Sequence, residues 1–143
     1  MRVARIFRRF GELSWRERGS LGEALFALAI ASAAIRLLPF RHVVRLARKP
    51  ARPRAGSDAE RIVRARWAVE VVAARVPWRT VCFQKGVALH GMLHRRGIAS
   101  QLHYGAKMEP RGGMKAHVWV TFRGNDVIGG AEAVGFPCLA TYE

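Results

Sequence analysis

Acidic residues are scarce in this chain. Asp and Glu number 10 against 25 Lys and Arg in 143 residues, a formal net charge of +15. An excess of that size draws acidic partners, whether nucleic acid, anionic lipid or acidic peptide, and does not bear on the fold. Cysteine is scarcer, with only Cys82 and Cys138. A disulfide-rich secreted scaffold is excluded, and two reduced thiols in a cytoplasmic protein is the simpler expectation. The chain lacks the length for two comfortable cores. It does not lack apolar residues, which make up 50% and exclude a wholly disordered basic tail. No internal repeat is present.

A long uninterrupted hydrophobic run is also missing. Leu21 to Phe40 is mostly apolar, but Glu23 and Arg36 bracket a run shorter than the ~20 residues of a membrane-spanning helix. Ala31-Ser32-Ala33 imitates a signal-peptide cleavage site, but the segment before it is long and carries Glu12 and Glu17 beside its arginines. A helix docked on the rest of the domain is expected instead. Ahead of it, Arg2, Arg5, Arg8 and Arg9 interleave with Val3, Ile6, Phe7 and Phe10 as a short amphipathic stretch, interrupted at Gly19-Ser20. Pro39 ends the apolar helix. Arg41 to Arg54, with Pro50 and Pro53, reads as an exposed linker.

Ser57-Asp58-Ala59-Glu60 has the spacing of a capping box. A helix is predicted after it, with Val63, Trp67 and Val71 on one stripe, stopping before Pro77. Another is predicted from Cys82 to Arg96, with Arg95 and Arg96 suiting its negative end and Gly97 the left-handed residue beyond. The period then changes to two. Ile98, Ser100, Leu102 and Tyr104 alternate with polar or small residues as a strand. Glu109 to Gly113 reads as a loop and Ala116 to Phe122 as a second strand. Gly124-Asn125 supplies turn chemistry, with Val127 and Ile128 returning and Gly129-Gly130 weakening the return. Helices followed by an antiparallel sheet make an α+β fold. The expected organisation is a basic N-terminal helical segment and linker over 1–55 and a core over 56–143.

This order sets Cys82 at a helix start and His117 on a later strand. A cysteine attacks as the thiolate, a form favoured by a helix N-terminus and a neighbouring histidine. A Cys–His pair also needs a group to orient the imidazole. By composition and spacing alone, the favoured reading is a buried thiol and a histidine settled on a sheet face. His90 and His94 share a helix face at a spacing that metal ligands use, but the glutamate of a zinc-peptidase motif is missing. They read as ordinary helix positions, and no metal or cofactor is implied. Gln84 lies inside the helix and reads as exposed rather than as an oxyanion donor. Trp78 and Trp119 fit either groove walls or core. Cys138 has no histidine pattern near it and reads as structural. Phe7, Phe10 and Trp15 are too few and irregular for a nucleic-acid module, so no specific nucleic acid is expected, and a basic nucleic-acid-binding protein stays as an alternative reading of the charge.

The stretch Cys82-Phe83-Gln84-Lys85-Gly86-Val87-Ala88-Leu89-His90-Gly91-Met92-Leu93-His94-Arg95-Arg96-Gly97-Ile98 and the strand Ala116-His117-Val118-Trp119-Val120 resemble those of the lasso peptide biosynthesis B2 proteins. Leu37-Leu38-Pro39-Phe40 and the ending Phe136-Pro137-Cys138-Leu139-Ala140-Thr141-Tyr142-Glu143 resemble them too, so the likeness covers nearly the whole chain. Those proteins are transglutaminase-like, papain-related cysteine peptidases that remove the leader from a ribosomally made precursor. The resemblance implies Cys82 as nucleophile and His117 as base and acid, with the Cys82 amide at the oxyanion. It also implies a precursor peptide as substrate, with a separate leader-binding protein and an ATP-dependent macrocyclase acting in trans. The family carries an acid on the returning strand, and the aligned position here is Gly129. Asp126 near the turn and Glu132 beyond the glycine pair are the acids that remain. A tight Gly124-Asn125 turn sets Glu132 opposite His117, and a bulge at the glycines shifts that register. An amide or a water in the acid's place, or lost activity in a noncatalytic scaffold, are the other readings.

Overall fold

The structure is a computed structural model and describes residues 11–47 and 56–143. The arginine-rich stretch Arg2 to Phe10 lies outside those residues.

Helix α1 (Trp15–Leu37) begins at a capping box absent from the sequence reading. The Ser14 hydroxyl accepts from the Glu17 amide at 3.3 Å, and the Glu17 carboxylate accepts from the Ser14 amide at 2.7 Å. That backbone bond, and the Ser14 hydroxyl after it, hold the Glu17 carboxyl below its ordinary pKa. The helix then runs unbroken through Gly19 and Ser20, so the expected interruption does not occur. With its initiation already satisfied, a single glycine costs only about 1 kcal/mol. It ends before Pro39, as expected, with Leu38 extended at ψ 148°.

The linker expected from Arg41 is instead helical over its first part: α2 spans Phe40–Ala47. Val43 and Val44 are buried there, and this apolar pair outweighs the basic composition that suggested a solvated segment. Helix α3 (Asp58–Ala73) starts where expected but without the predicted capping box, because the Ser57 side chain makes no cap bond. Asp58 pairs with Arg61 at 2.6 Å instead, and Arg61 reaches on to the Arg96 carbonyl at 3.0 Å. The fully buried face of α3 is Ala65, Ala68 and Val69; of the predicted stripe, Trp67 and Val71 are half-buried against the core and Val63 is 67% exposed. The small side chains at the centre of the contact let α3 approach its neighbours closely.

Helix α4 (Cys82–Arg95) is the central element, with every residue from Gly86 to Leu93 buried. Helices α1, α2 and α3 pack around it on one side and the sheet on the other. Arg95 and Arg96 at its C-terminal end pair with Glu23 of α1 at 3.1 and 2.7 Å. The charge that interrupted the apolar run therefore joins the two helices.

The sheet contains β1 (Gln101–Met108), β2 (Met114–Phe122), β3 (Asn125–Ile128) and β4 (Cys138–Tyr142) in the order β3-β2-β1-β4, all antiparallel. The first strand begins later than predicted, at Gln101. The β2–β3 turn is Arg123-Gly124, one residue earlier than predicted, with both residues left-handed at φ 51° and 79°. Such a two-residue turn matches the twist of its strands. The edge strand β4 had no alternating signal. Buried residues of α1, α2, α3, α4 and the sheet form one continuous core.

The tightest approach between layers is at Gly86, where a Cβ would stand 2.6 Å from Cγ1 of Val118. Gly86→Ala is expected to lower stability by about 1–3 kcal/mol, as overpacking does. Adding Val118→Ala, which removes the offending methyl, should restore part of that loss. Urea unfolding of both single variants and the double variant measures the coupling; strict additivity would contradict the packing described.

Candidate active site

Cys82 is the first residue of α4 and is half-buried. Val81 before it is extended, so the chain enters the helix sharply at the thiol. The Gln84 side chain turns back and accepts from the Val81 amide at 3.0 Å. Gln84 is therefore a helix-capping group and half-buried rather than an exposed side chain, and its carbonyl oxygen faces a donor.

His117 lies on β2 and is 8% exposed. Its imidazole is flanked by Trp119, stacked at 6.0 Å, and Phe136, tilted at 5.4 Å. Nε2 lies 2.8 Å from the carbonyl oxygen of Gly129. A carbonyl only accepts, so Nε2 carries the proton and Nδ1 is the free base. Gly129 is left-handed at φ 77°, and a Cβ there would stand 2.9 Å from the Val118 carbonyl oxygen and 3.3 Å from the imidazole itself. The glycine in place of the expected acid is thus what lets a peptide carbonyl reach the ring.

One cleft of about 540 Å³ is lined by both Cys82 and His117. Asp126 and Glu132 line it too, so all four candidates gather in one place. Neither carboxylate bonds to His117. Asp126 pairs in register with Thr121, after a bulge between Asp126 and Ile128, and its carboxylate lies against Gly130 where a side chain at that position would begin. Glu132 sits on an exposed single turn, Ala131–Ala133, beyond the end of β3 at Ile128, so it is not paired with β2 at all. Lys85, one turn beyond the thiol, joins the lining, as does the Arg66–Glu70 pair of α3 at 3.2 Å. Among the described residues Lys85, Asp126 and Glu132 have no ion-pair partner. With Arg66 and Glu70 paired to each other, the cleft presents the Lys85 cation from its helical wall and the Asp126 and Glu132 carboxylates from the wall opposite.

The family model of the transglutaminase-like superfamily matches residues 24–139. The chain belongs to the transglutaminase-like superfamily. Its members are commonly cysteine-dependent enzymes and include cysteine peptidases. No curated protein and no solved structure gives a match of its own. The match begins inside α1 and ends in β4, so the superfamily region holds the whole cleft.

Three other expectations change with the structure. His90 and His94 are not helix-surface residues. Nδ1 of His90 meets the Ser100 hydroxyl at 2.9 Å and Nε2 of His94 donates to the Ser100 carbonyl at 3.1 Å, tying α4 to the lead-in of β1. Trp119 stacks between His117 and His103, at 6.0 and 5.3 Å, on the sheet face away from α4. Cys138, read as lacking a histidine, has its sulfur 3.9 Å from Nδ1 of His103. The two are 35 residues apart, and only the β1–β4 pairing, which sets His103 opposite Thr141, brings them together. Thr141 and Thr121 hydroxyls bracket the same imidazole at 3.0 and 2.8 Å.

Burial lowers the pKa of His103, and the negative charge of Asp126 offsets part of the shift. The unfolded chain therefore binds this proton more readily than the folded one. The resulting contribution to stability is present above the ordinary histidine value, ~6.5, and is lost as pH falls below it. His103→Gln keeps polar contacts to the threonines without the titration. Its unfolding midpoint in urea should fall less than that of wild type between neutral and mildly acidic pH; equal falls would reject the assignment.

For the imidazole, Gly129→Ala is expected to lower stability by about 1–3 kcal/mol, since it forces a side chain into the left-handed region against the Val118 carbonyl. It should also slow alkylation of Cys82 by iodoacetamide. Asp126→Asn and Glu132→Gln should leave that rate within about tenfold of wild type, because neither group holds the ring. A larger loss from either would return the orienting role to a carboxylate.

Proposed function

We propose that the protein is a cysteine peptidase that removes the leader from a ribosomally made precursor peptide, in the manner of the lasso peptide B2 proteins it resembles. The observation carrying this reading is the shared cleft: a thiol at a helix N-terminus and a histidine whose remote nitrogen is held, leaving Nδ1 as base. Cys82 gives its proton to Nδ1 of His117 as its sulfur bonds to the scissile carbonyl carbon. The carbonyl electrons move to oxygen, and free amides at the start of α4 stabilise that charge. Collapse breaks the C–N bond, and Nδ1–H protonates the leaving amine. Water, deprotonated by the same nitrogen, attacks the thioester and releases the acid and the thiol.

The Gly129 carbonyl fixes the tautomer as a carboxylate would, but contributes no charge to the imidazolium formed on the way. The reaction is therefore slower than with an acid in place, and is best suited to one committed substrate. In this reading a separate protein binds the leader and a macrocyclase consumes the released core, in the cytoplasm.

The test is cleavage of the precursor encoded beside the gene, with its leader-binding protein, followed by mass spectrometry. Cys82→Ala and His117→Ala should each reduce cleavage by roughly a thousandfold or more. Cleavage by Cys82→Ala at the wild-type rate would refute the mechanism. A folded wild type that fails with its partner present would make the protein a noncatalytic scaffold, the reading that the missing acid favours.

A further inference from the structure

The outward face of α1 is as apolar as its inward face. Leu25, Phe26, Ile30 and Leu37 are 46, 67, 48 and 80% exposed, with Ala29 and Ala33 exposed between them. From Gly22 to Ala33 no exposed residue is charged. Along the helix the acids are already engaged, Glu17 in the cap and Glu23 with Arg95 and Arg96, and Glu12 is exposed ahead of its start. Beside Phe26 and Ile30 runs a groove of about 290 Å³ floored by Val43, Val87, Ala88 and Gly91. A helix apolar all round belongs in a core or in lipid, and here the core covers one side only. By length and composition α1 is apolar enough to cross a bilayer, with a mean hydropathy of 1.5 over its most apolar window, yet 39% of that window is buried. A helix fastened to a domain along its length cannot give its whole circumference to lipid, so it can only lie flat.

Cations stand at both ends of the stripe, and beside its middle Arg95, at the groove, is paired with Glu23. Arg16 and Arg18 are exposed at its start beside Trp15, itself 77% exposed. Arg36, Arg41 and Arg45 are exposed at its end. We infer that this face docks the protein on an anionic membrane surface. The stripe enters the boundary between headgroups and acyl chains, and the flanking arginines and Trp15 sit at headgroup level. The net charge of +15 supplies the long-range attraction, and the convex, one-helix-wide stripe supplies the insertion. The inference does not depend on the Cys82–His117 chemistry.

The test is co-sedimentation with vesicles of mixed phosphatidylcholine and phosphatidylglycerol, and with phosphatidylcholine alone. Wild type should pellet with the mixed vesicles. Phe26→Ser with Ile30→Ser should weaken partitioning about tenfold or more, and Phe26→Leu with Ile30→Leu should restore it. Arg41→Gln with Arg45→Gln should weaken binding to the mixed vesicles. If the serine variant pellets as wild type does, attraction by charge alone explains the binding and the inference falls. It falls equally if wild type binds no vesicle, or if wild type is a dimer that the serine variant converts to monomer, since the face is then a self-contact. Should the serine variant fail to fold, quenching of wild-type fluorescence by brominated lipid decides. Quenching lost in Trp15→Phe supports insertion, and quenching unchanged in that variant overturns it.

Discussion

Everything at the candidate site depends on how closely α4 lies against β2. The helix is buried from Gly86 to Leu93 between the other helices and the sheet, so the half-buried residue at its start is held by a rigid element. At Gly86 the missing side chain lets the backbone settle onto Val118, the neighbour of His117. One contact thus couples the helix that carries the thiol to the strand that carries the imidazole. A core packed to crystalline density transmits such a constraint without slack. Placing reactive groups on buried rigid elements gives a precision that loops do not.

The orientation of His117 shows how a fold replaces one chemical solution with another. A carboxylate orients a histidine by accepting its proton and also stabilises the positive ring by its charge. A peptide carbonyl supplies only the first of these. The exchange requires a left-handed residue and a close approach to the ring, and glycine satisfies both. Asp126 and Glu132 remain in the cleft as negative charge without contacting the ring, so they contribute to its potential and to what enters. Opposite them Lys85, without an ion-pair partner among the described residues, stands on the same helix as the thiol.

Much of this was legible in the chain because it is local. Periodicity located the helix from Cys82 and the strands around Leu102 and Val118, and Pro39 marked the end of α1 in advance. The resemblance carried by the cysteine helix and the Ala-His-Val-Trp-Val strand led to the superfamily that the match over residues 24–139 then showed. Failures came where local signals competed with packing. Ser57 had the spacing of a cap but not the bond, while Ser14 and Glu17 formed one that had gone unread. Val63 was chosen for its size, when small residues faced the core. The arginines after Phe40 hid Val43 and Val44.

By itself the sequence determined the α+β order, the placement of the thiol at a helix start and the histidine on a strand, and the large positive charge. These follow from residue type and short-range spacing, which any part of the chain carries alone. Only the tertiary structure decided which group holds His117, because that depends on a bulge between Asp126 and Ile128 and on the path of the Gly129 backbone beside β2. It also decided that Cys138 meets His103, through an edge pairing with no local signal. It decided, finally, that among the described residues α1 is covered on one face only. Burial belongs to the assembled chain: the same apolar residues read alike in sequence whether a neighbour covers them or not.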